Sequence, residues 1–152
     1  MCQKPRWAPS WGPEPTGRTA RLWSPSVDRS ERVLVLESAY RLFNDRRVDE
    51  LLAMMTDDVE WPDVANGTTL HDKGAIRRYW SDQFATSNPQ VTPTGFIETG
   101  DDLVAVIDQR ILDRDGLPLV PPAVVFHRYT FVGDLVSRMV VFSDRDSALT
   151  KD

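Results

Sequence analysis

A chain of 152 residues with 41% hydrophobic and 27% charged side chains holds one domain with a sizeable core and has no room for two of ordinary size. Its net charge of -5 offers no basic face, so no nucleic-acid partner is expected. The single cysteine, Cys2, excludes an internal disulfide, and two histidines, His71 and His127, without ligand spacing exclude a metal site by the usual patterns. No apolar run approaches the length of a membrane span and no apolar leader stands at the N-terminus, so a cytoplasmic protein with no membrane partner is expected.

Residues 1–28 read as a disordered Pro/Trp-rich tail. They hold Pro5, Pro9, Pro13, Pro15 and Pro25 with Trp7, Trp11 and Trp23, and show no apolar periodicity. Such a segment cannot bury enough apolar surface to offset its ordering entropy. The domain is expected over 29–145, with 146–152 a second tail. Asp28-Arg29-Ser30-Glu31 matches a capping box, and Leu36, Ala39, Tyr40 and Phe43 then fall on one helical face. A short second helix carries Val48, Leu51, Leu52 and Met55 at the same spacing. Asp72 can cap a third, whose Ile76, Tyr79, Trp80, Gln83 and Phe84 line one side.

Between the second and third helices, Val59-Glu60-Trp61-Pro62-Asp63 reads as a strand. Alternation puts Asp63 on the face of Val59 and Trp61, and an apolar wall raises a carboxyl pKa toward the range of a useful base. The competing reading is that Asp63 ends the strand and opens the turn at Asn66-Gly67. The second half is strand-like over 91–99, 103–113, 123–132 and 135–143, divided by Gly100-Asp101, Asp115-Gly116 and Gly133-Asp134. Three helices gathered on one face of an antiparallel sheet make an α+β fold.

A tight turn at Gly133-Asp134 pairs Val132 with Leu135, Tyr129 with Arg138, His127 with Val140 and Val125 with Phe142. One face then joins His127, Tyr129 and Arg138 to Val140 and Phe142, while Val124, Phe126, Met139 and Val141 lie opposite. Strands apolar on both sides need cover on both, so a homodimer through the outer sheet face is expected. On strand 103–113 the apolar alternate set puts Gln109 inward and turns Asp108 and Arg110 outward, although the connection that follows leaves that register open.

The order of elements resembles the nuclear transport factor 2-like fold, three helices on a curved sheet forming a cone-shaped pocket. Tyr40-Arg41-Leu42-Phe43-Asn44, Thr56-Asp57-Asp58, Val59-Glu60-Trp61-Pro62-Asp63, Leu70-His71, Ala75-Ile76 and Tyr79-Trp80 resemble the SnoaL-like and ketosteroid isomerase-like branches. The resemblance covers about residues 30 to 145. It places Asp63 at the proton-abstracting aspartate, Trp80 at a cavity aromatic and His127 near the acid that bonds the substrate oxyanion. Ala39 stands at the position of the catalytic tyrosine, with Tyr40 next to it and turned by roughly 100° around the helix. A different substrate in the same cone is therefore implied.

The expected site has Asp63 and His127 as catalytic groups, with Tyr129 an alternative donor and Arg138 holding an anionic or enolate-like ligand. Tyr40, Trp61, Tyr79, Trp80, Gln109, Tyr129, Arg138, Val140 and Phe142 would surround a small apolar molecule. Without a Gly-rich phosphate loop or a nucleophile elbow, no cofactor is implied. The expected function is cofactor-free acid/base chemistry of isomerase, cyclase or dehydratase type on an apolar carbonyl-bearing substrate. The alternatives are a non-catalytic ligand-binding module and an enzyme resembling limonene epoxide hydrolases that uses Asp108 and Arg110.

Overall fold

The computed structural model describes residues 26–64 and 66–150, with side chains described from residue 31. Helices α1 (Ser26–Asn44) and α2 (Val48–Leu52) precede the hairpin β1 (Met55–Asp63) and β2 (Thr68–Leu70). Helix α3 (Lys73–Thr86) leads to β3 (Asn88–Thr99), β4 (Asp102–Leu112), β5 (Ala123–Val132), β6 (Leu135–Phe142) and a last helix α4 (Arg145–Thr150). The strands form one sheet in the order β2-β1-β6-β5-β4-β3, antiparallel throughout except where β1 runs parallel to β6. The fold is α+β, with helices on a curved, unclosed sheet. Residues 26–34 belong to a separate compact unit and are helical; the unit that carries the sheet begins at Val35.

Three expected boundaries move. The tail expected over 1–28 lies outside the described residues as far as residue 25, and 26–28 are already helical, so α1 starts ahead of the capping-box residues. Met55 opens β1 instead of closing α2. The tail expected over 146–152 is helix α4 up to Thr150, because it has something to bury: Ala148 is 0% exposed. Asp144 caps it by accepting from the Ser147 amide at 2.8 Å, and Arg128, paired with Asp102 at 2.8 Å, donates to the Ala148 carbonyl. This helix covers part of the outer sheet face, where Val104 is fully buried.

The end of α1 sets the height of its cavity residues. The Arg46 and Arg47 amides bond back to the Phe43 and Leu42 carbonyls at 3.0 and 2.9 Å, a Schellman closure that needs a left-handed residue. Arg46 takes that conformation, φ 63°, where glycine is usual. Its guanidinium lies 4.2 Å from the centre of the Phe84 ring and donates to the Pro89 carbonyl and Asn88. Asn44 bonds both the amide and the carbonyl of Val91. Together they tie the helix to β3, so Tyr40 and Phe43 stand over the sheet.

The hairpin of β5 and β6 corrects the expected register. Gly133, φ 60°, occupies the first turn position, and Val132 pairs with Leu135 as expected. Then Phe131 pairs with Val136, and Thr130 with Arg138, leaving Ser137 as an extra residue whose hydroxyl bonds the Thr130 carbonyl at 3.1 Å. A bulge shifts everything beyond it by one, and a shift by one exchanges the faces. Tyr129 faces Met139 and His127 faces Val141, so Met139 and Val141 are inner residues. Arg138, Val140 and Phe142, expected in the pocket, belong to the outer face; Arg138 lies 3.5 Å from Glu60 there.

Candidate functional site

Between the helices and the inner sheet face lies a cavity of about 420 Å³, a volume within the range of small-molecule sites. Its wall is mostly aromatic and aliphatic. Trp80, 1% exposed, meets the Trp61 and Phe43 rings edge to face at 5.5 and 5.7 Å between centroids. Met54, Met55, Val136 and Met139 close the side nearest β1 and β6. Val64, which follows β1 in its hairpin with β2, lines the cavity and is 63% exposed. Among the described residues, none of those lining the cavity is Asp, Glu, Lys or Arg.

Three polar residues join in a hydrogen-bonded set at the buried floor, while Tyr79, Gln83 and Gln109 line the cavity elsewhere. The Tyr40 hydroxyl lies 2.8 Å from His127 Nδ1 and 2.6 Å from the Tyr129 hydroxyl, and the three residues are 5, 7 and 4% exposed respectively. The floor exists because α1 leans Tyr40 across the sheet while β5 presents His127 and Tyr129 two residues apart on one face. Burial sets the charge state of all three. It pushes the His127 imidazole down to about 4, so the ring is neutral at physiological pH. It raises the phenols of Tyr40 and Tyr129, and the two remain protonated. Nδ1 is engaged by Tyr40, which leaves Nε2 as the ring nitrogen without a protein partner on a ring that lines the cavity.

The floor brings together Tyr40, His127 and Tyr129, and the walls hold Trp61, Tyr79, Trp80 and Gln109, all anticipated from the sequence. Asp63 is the correction. It is buried, 8% exposed, but it does not line the cavity: its oxygens accept from the Asn66 amide at 3.2 Å and the Asn66 side-chain amide at 2.8 Å. The turn has taken the carboxylate, as short Asx side chains at strand ends commonly allow. Asp63 reaches the site only through its field. Burial first and the Asp63 charge second raise the Tyr79 phenol, and a backbone hydrogen bond with Val64 pulls it back.

Asp108 and Arg110 lie outside the cavity, 3.5 Å apart and 36% and 56% exposed, so they cannot serve an epoxide in it. Ala39 and Tyr40 both line the cavity, and the neighbouring tyrosine supplies the phenol at the floor. Sequence reasoning missed the inner roles of Met139 and Val141, and the signal was present: Ser137-Arg138 puts two polar residues in succession and breaks the alternation. It also missed Pro62, which joins Trp61 in lining the rim.

A family model described as a SnoaL-like domain matches residues 36–139. No curated protein matches significantly. Among solved structures, TerC co-crystallised with polyporic acid is 22% identical, with a TM-score of 0.65 over 75% of this chain and 92% of that one. An NTF2-like protein of unknown function from Burkholderia pseudomallei is 19% identical, TM-score 0.65, over 80% and 98%. A putative ketosteroid isomerase from Kribbella flavida is 16% identical, TM-score 0.61, over 76% and 79%. With a family match spanning most of the sheet and the whole floor of the cavity, this chain belongs to the SnoaL-like domain family of the nuclear transport factor 2-like fold.

Proposed function

We propose that the cavity binds a neutral, mainly apolar molecule carrying a carbonyl group and catalyses cofactor-free proton transfer on it, of isomerase, cyclase or dehydratase type. The observation that carries this reading is the hydrogen-bonded set of Tyr40, His127 and Tyr129 at the floor of a mainly apolar cavity whose lining holds no charged side chain among the described residues. Hydroxyl donors fixed in a water-poor site can stabilise charge as it develops on a carbonyl oxygen. A neutral imidazole beside them can hold or release a proton. The absence of lining charge among the described residues favours an uncharged ligand over the anion expected with Arg138 inward. The putative ketosteroid isomerase name of the Kribbella flavida protein supports this chemistry.

The second reading is a binding module without catalysis, favoured by one observation: Asp63 is engaged by its turn and no carboxylate lines the cavity. Hydrogen exchange at the α-carbons of 2-tetralone in D2O, with binding followed by tryptophan fluorescence, separates the two. Catalysis predicts exchange above the buffer rate that falls on the order of 10²-fold or more in Tyr129→Phe and stays within about threefold in Asp63→Asn, the range of an unchanged barrier. Binding without any exchange would establish the module instead.

The working unit is a homodimer closed over the outer sheet face. The bulge redraws that face: Val106, Phe126 and Phe142 fall in one cross-strand row and are half-buried, beside Val124 at 57% exposure. Phe126→Arg should give a monomer in sedimentation velocity, since an unpaired charge in an apolar interface is costly. A wild-type monomer at micromolar concentration would overturn the assignment.

A further inference from the structure

We propose that Tyr40, His127 and Tyr129 form a proton relay whose two ends, His127 Nε2 and the Tyr129 hydroxyl, both serve the cavity, so that one histidine acts as base and drives the acid. The relay rests on the ligand class proposed above. It follows from counting protons. Tyr40 has one hydroxyl proton and two partners, His127 Nδ1 at 2.8 Å and the Tyr129 oxygen at 2.6 Å. It can donate to one of them only and must accept from the other.

Two arrangements satisfy both bonds. In the first, Tyr129 donates to Tyr40 and Tyr40 donates to Nδ1, so the ring proton sits on Nε2. In the second, the Nδ1 proton points to the Tyr40 oxygen, Tyr40 donates to Tyr129, and the Tyr129 proton is released toward the cavity. Nε2 then carries a lone pair. An imidazolium would hold protons on both nitrogens and lock the set; burial, which brings His127 down to about 4, preserves the neutral ring that can alternate.

From the second arrangement, a bound ketone can be enolised with every atom accounted for. The α C–H bond breaks and its proton forms an N–H bond at Nε2. The Nδ1 proton moves to the Tyr40 oxygen, the Tyr40 proton to Tyr129, and the Tyr129 proton to the carbonyl oxygen. The electron pair of the broken C–H bond becomes the C=C bond of the enol, and the C=O electrons become the new O–H bond. The relay is left in the first arrangement. Replacing the Nε2 proton by a solvent deuteron before return to the same carbon gives exchange; returning the proton to a conjugated carbon gives isomerisation, and both restore the starting arrangement of the relay. Ion separation is costly in an apolar floor, and this sequence leaves none at its end. It also explains a site that keeps no carboxylate. Tyr40 is the positioning residue that joins the two catalytic ends.

The experiment is 15N NMR on histidine-labelled full chain with two probes of one size. 2-Tetralone can only accept from Tyr129, and indole can only donate to it. The ketone should put the His127 proton on Nδ1 and indole should put it on Nε2, with exposed His71 an internal control. Tyr40→Phe is compared with wild type at saturating concentrations of each probe. The exchange of tautomers should be lost. If both probes bind wild type and the His127 tautomer is the same with each, the relay is wrong while the cavity reading stands. If neither probe binds at millimolar concentration, the ligand class falls and takes the relay with it.

Discussion

At the rim of the cavity, Asp63 gives both carboxylate oxygens to Asn66, three residues along the chain; at the floor, Tyr40 reaches 87 and 89 residues away to His127 and Tyr129. Both regions bury polar atoms, and in both the atoms are bonded. The difference is what remains afterwards. A local turn occupies each carboxylate oxygen with one donor and holds the group away from the cavity lining, so the carboxylate is not presented to a ligand. The floor satisfies each residue through one shared hydroxyl and leaves a ring nitrogen unpartnered beside the cavity. A buried polar residue is thus a candidate for chemistry when its bonds are made at long range and are incomplete.

The largest expected effect that breaks this comparison lies at His127. Its pKa is lowered from 6.5 to about 4 by burial, so between those values the unfolded chain binds a proton that the folded chain does not. Stability from this group is therefore full above pH 6.5 and is lost as pH falls toward 4, by on the order of 3 kcal/mol in all. His127→Gln should abolish that share of the acid dependence. In urea titrations at pH 7, 5.5 and 4.5, wild type should lose more stability than the variant at each step down. Parallel losses would show that the imidazole is protonated in the folded chain, and the floor would then resemble an ordinary ion site.

Much of this contrast was legible in the sequence, and the failures have a physical pattern. The helical faces of Leu36, Ala39, Tyr40, Phe43 and of Ile76, Trp80 were readable because a period of 3.6 survives whatever the helix packs against. Asp72 was readable as a cap, and its carboxylate accepts the Ala75 amide at 2.8 Å. Gln109 was placed inward correctly since its strand alternates without interruption to the residue opposite Val91. Beyond Ser137 the reading failed, because a single inserted residue exchanges the faces of all that follow while leaving composition unchanged. That insertion removed Arg138, Val140 and Phe142 from the site and supplied Met139 and Val141. The Tyr40 link was invisible for another reason: a contact spanning 87 residues leaves no local trace.

The rim offers the finer test, with a smaller effect. Alternation alone made Asp63 a desolvated base, for which Asp63→Asn should leave the protein as stable or more stable and abolish turnover. The turn reverses that sign. Asp63→Ala removes the acceptor for two Asn66 donors at a buried position and should cost about 1–2 kcal/mol, as loss of a side-chain acceptor usually does. Asp63→Asn keeps one acceptor oxygen for the Asn66 amide and should cost less than about 1 kcal/mol. Neither change should alter proton exchange by more than about threefold, because the floor is untouched. Removing the charge has one further consequence: the Tyr79 phenol, raised in part by Asp63, should ionise at lower pH in Asp63→Asn than in wild type. Denaturant midpoints at unchanged m-value measure the first effect, and ultraviolet titration of the tyrosines measures the second. An Asp63→Asn protein that is more stable than wild type and inactive would return the base to the rim and leave the floor as a structural hydrogen-bond cluster.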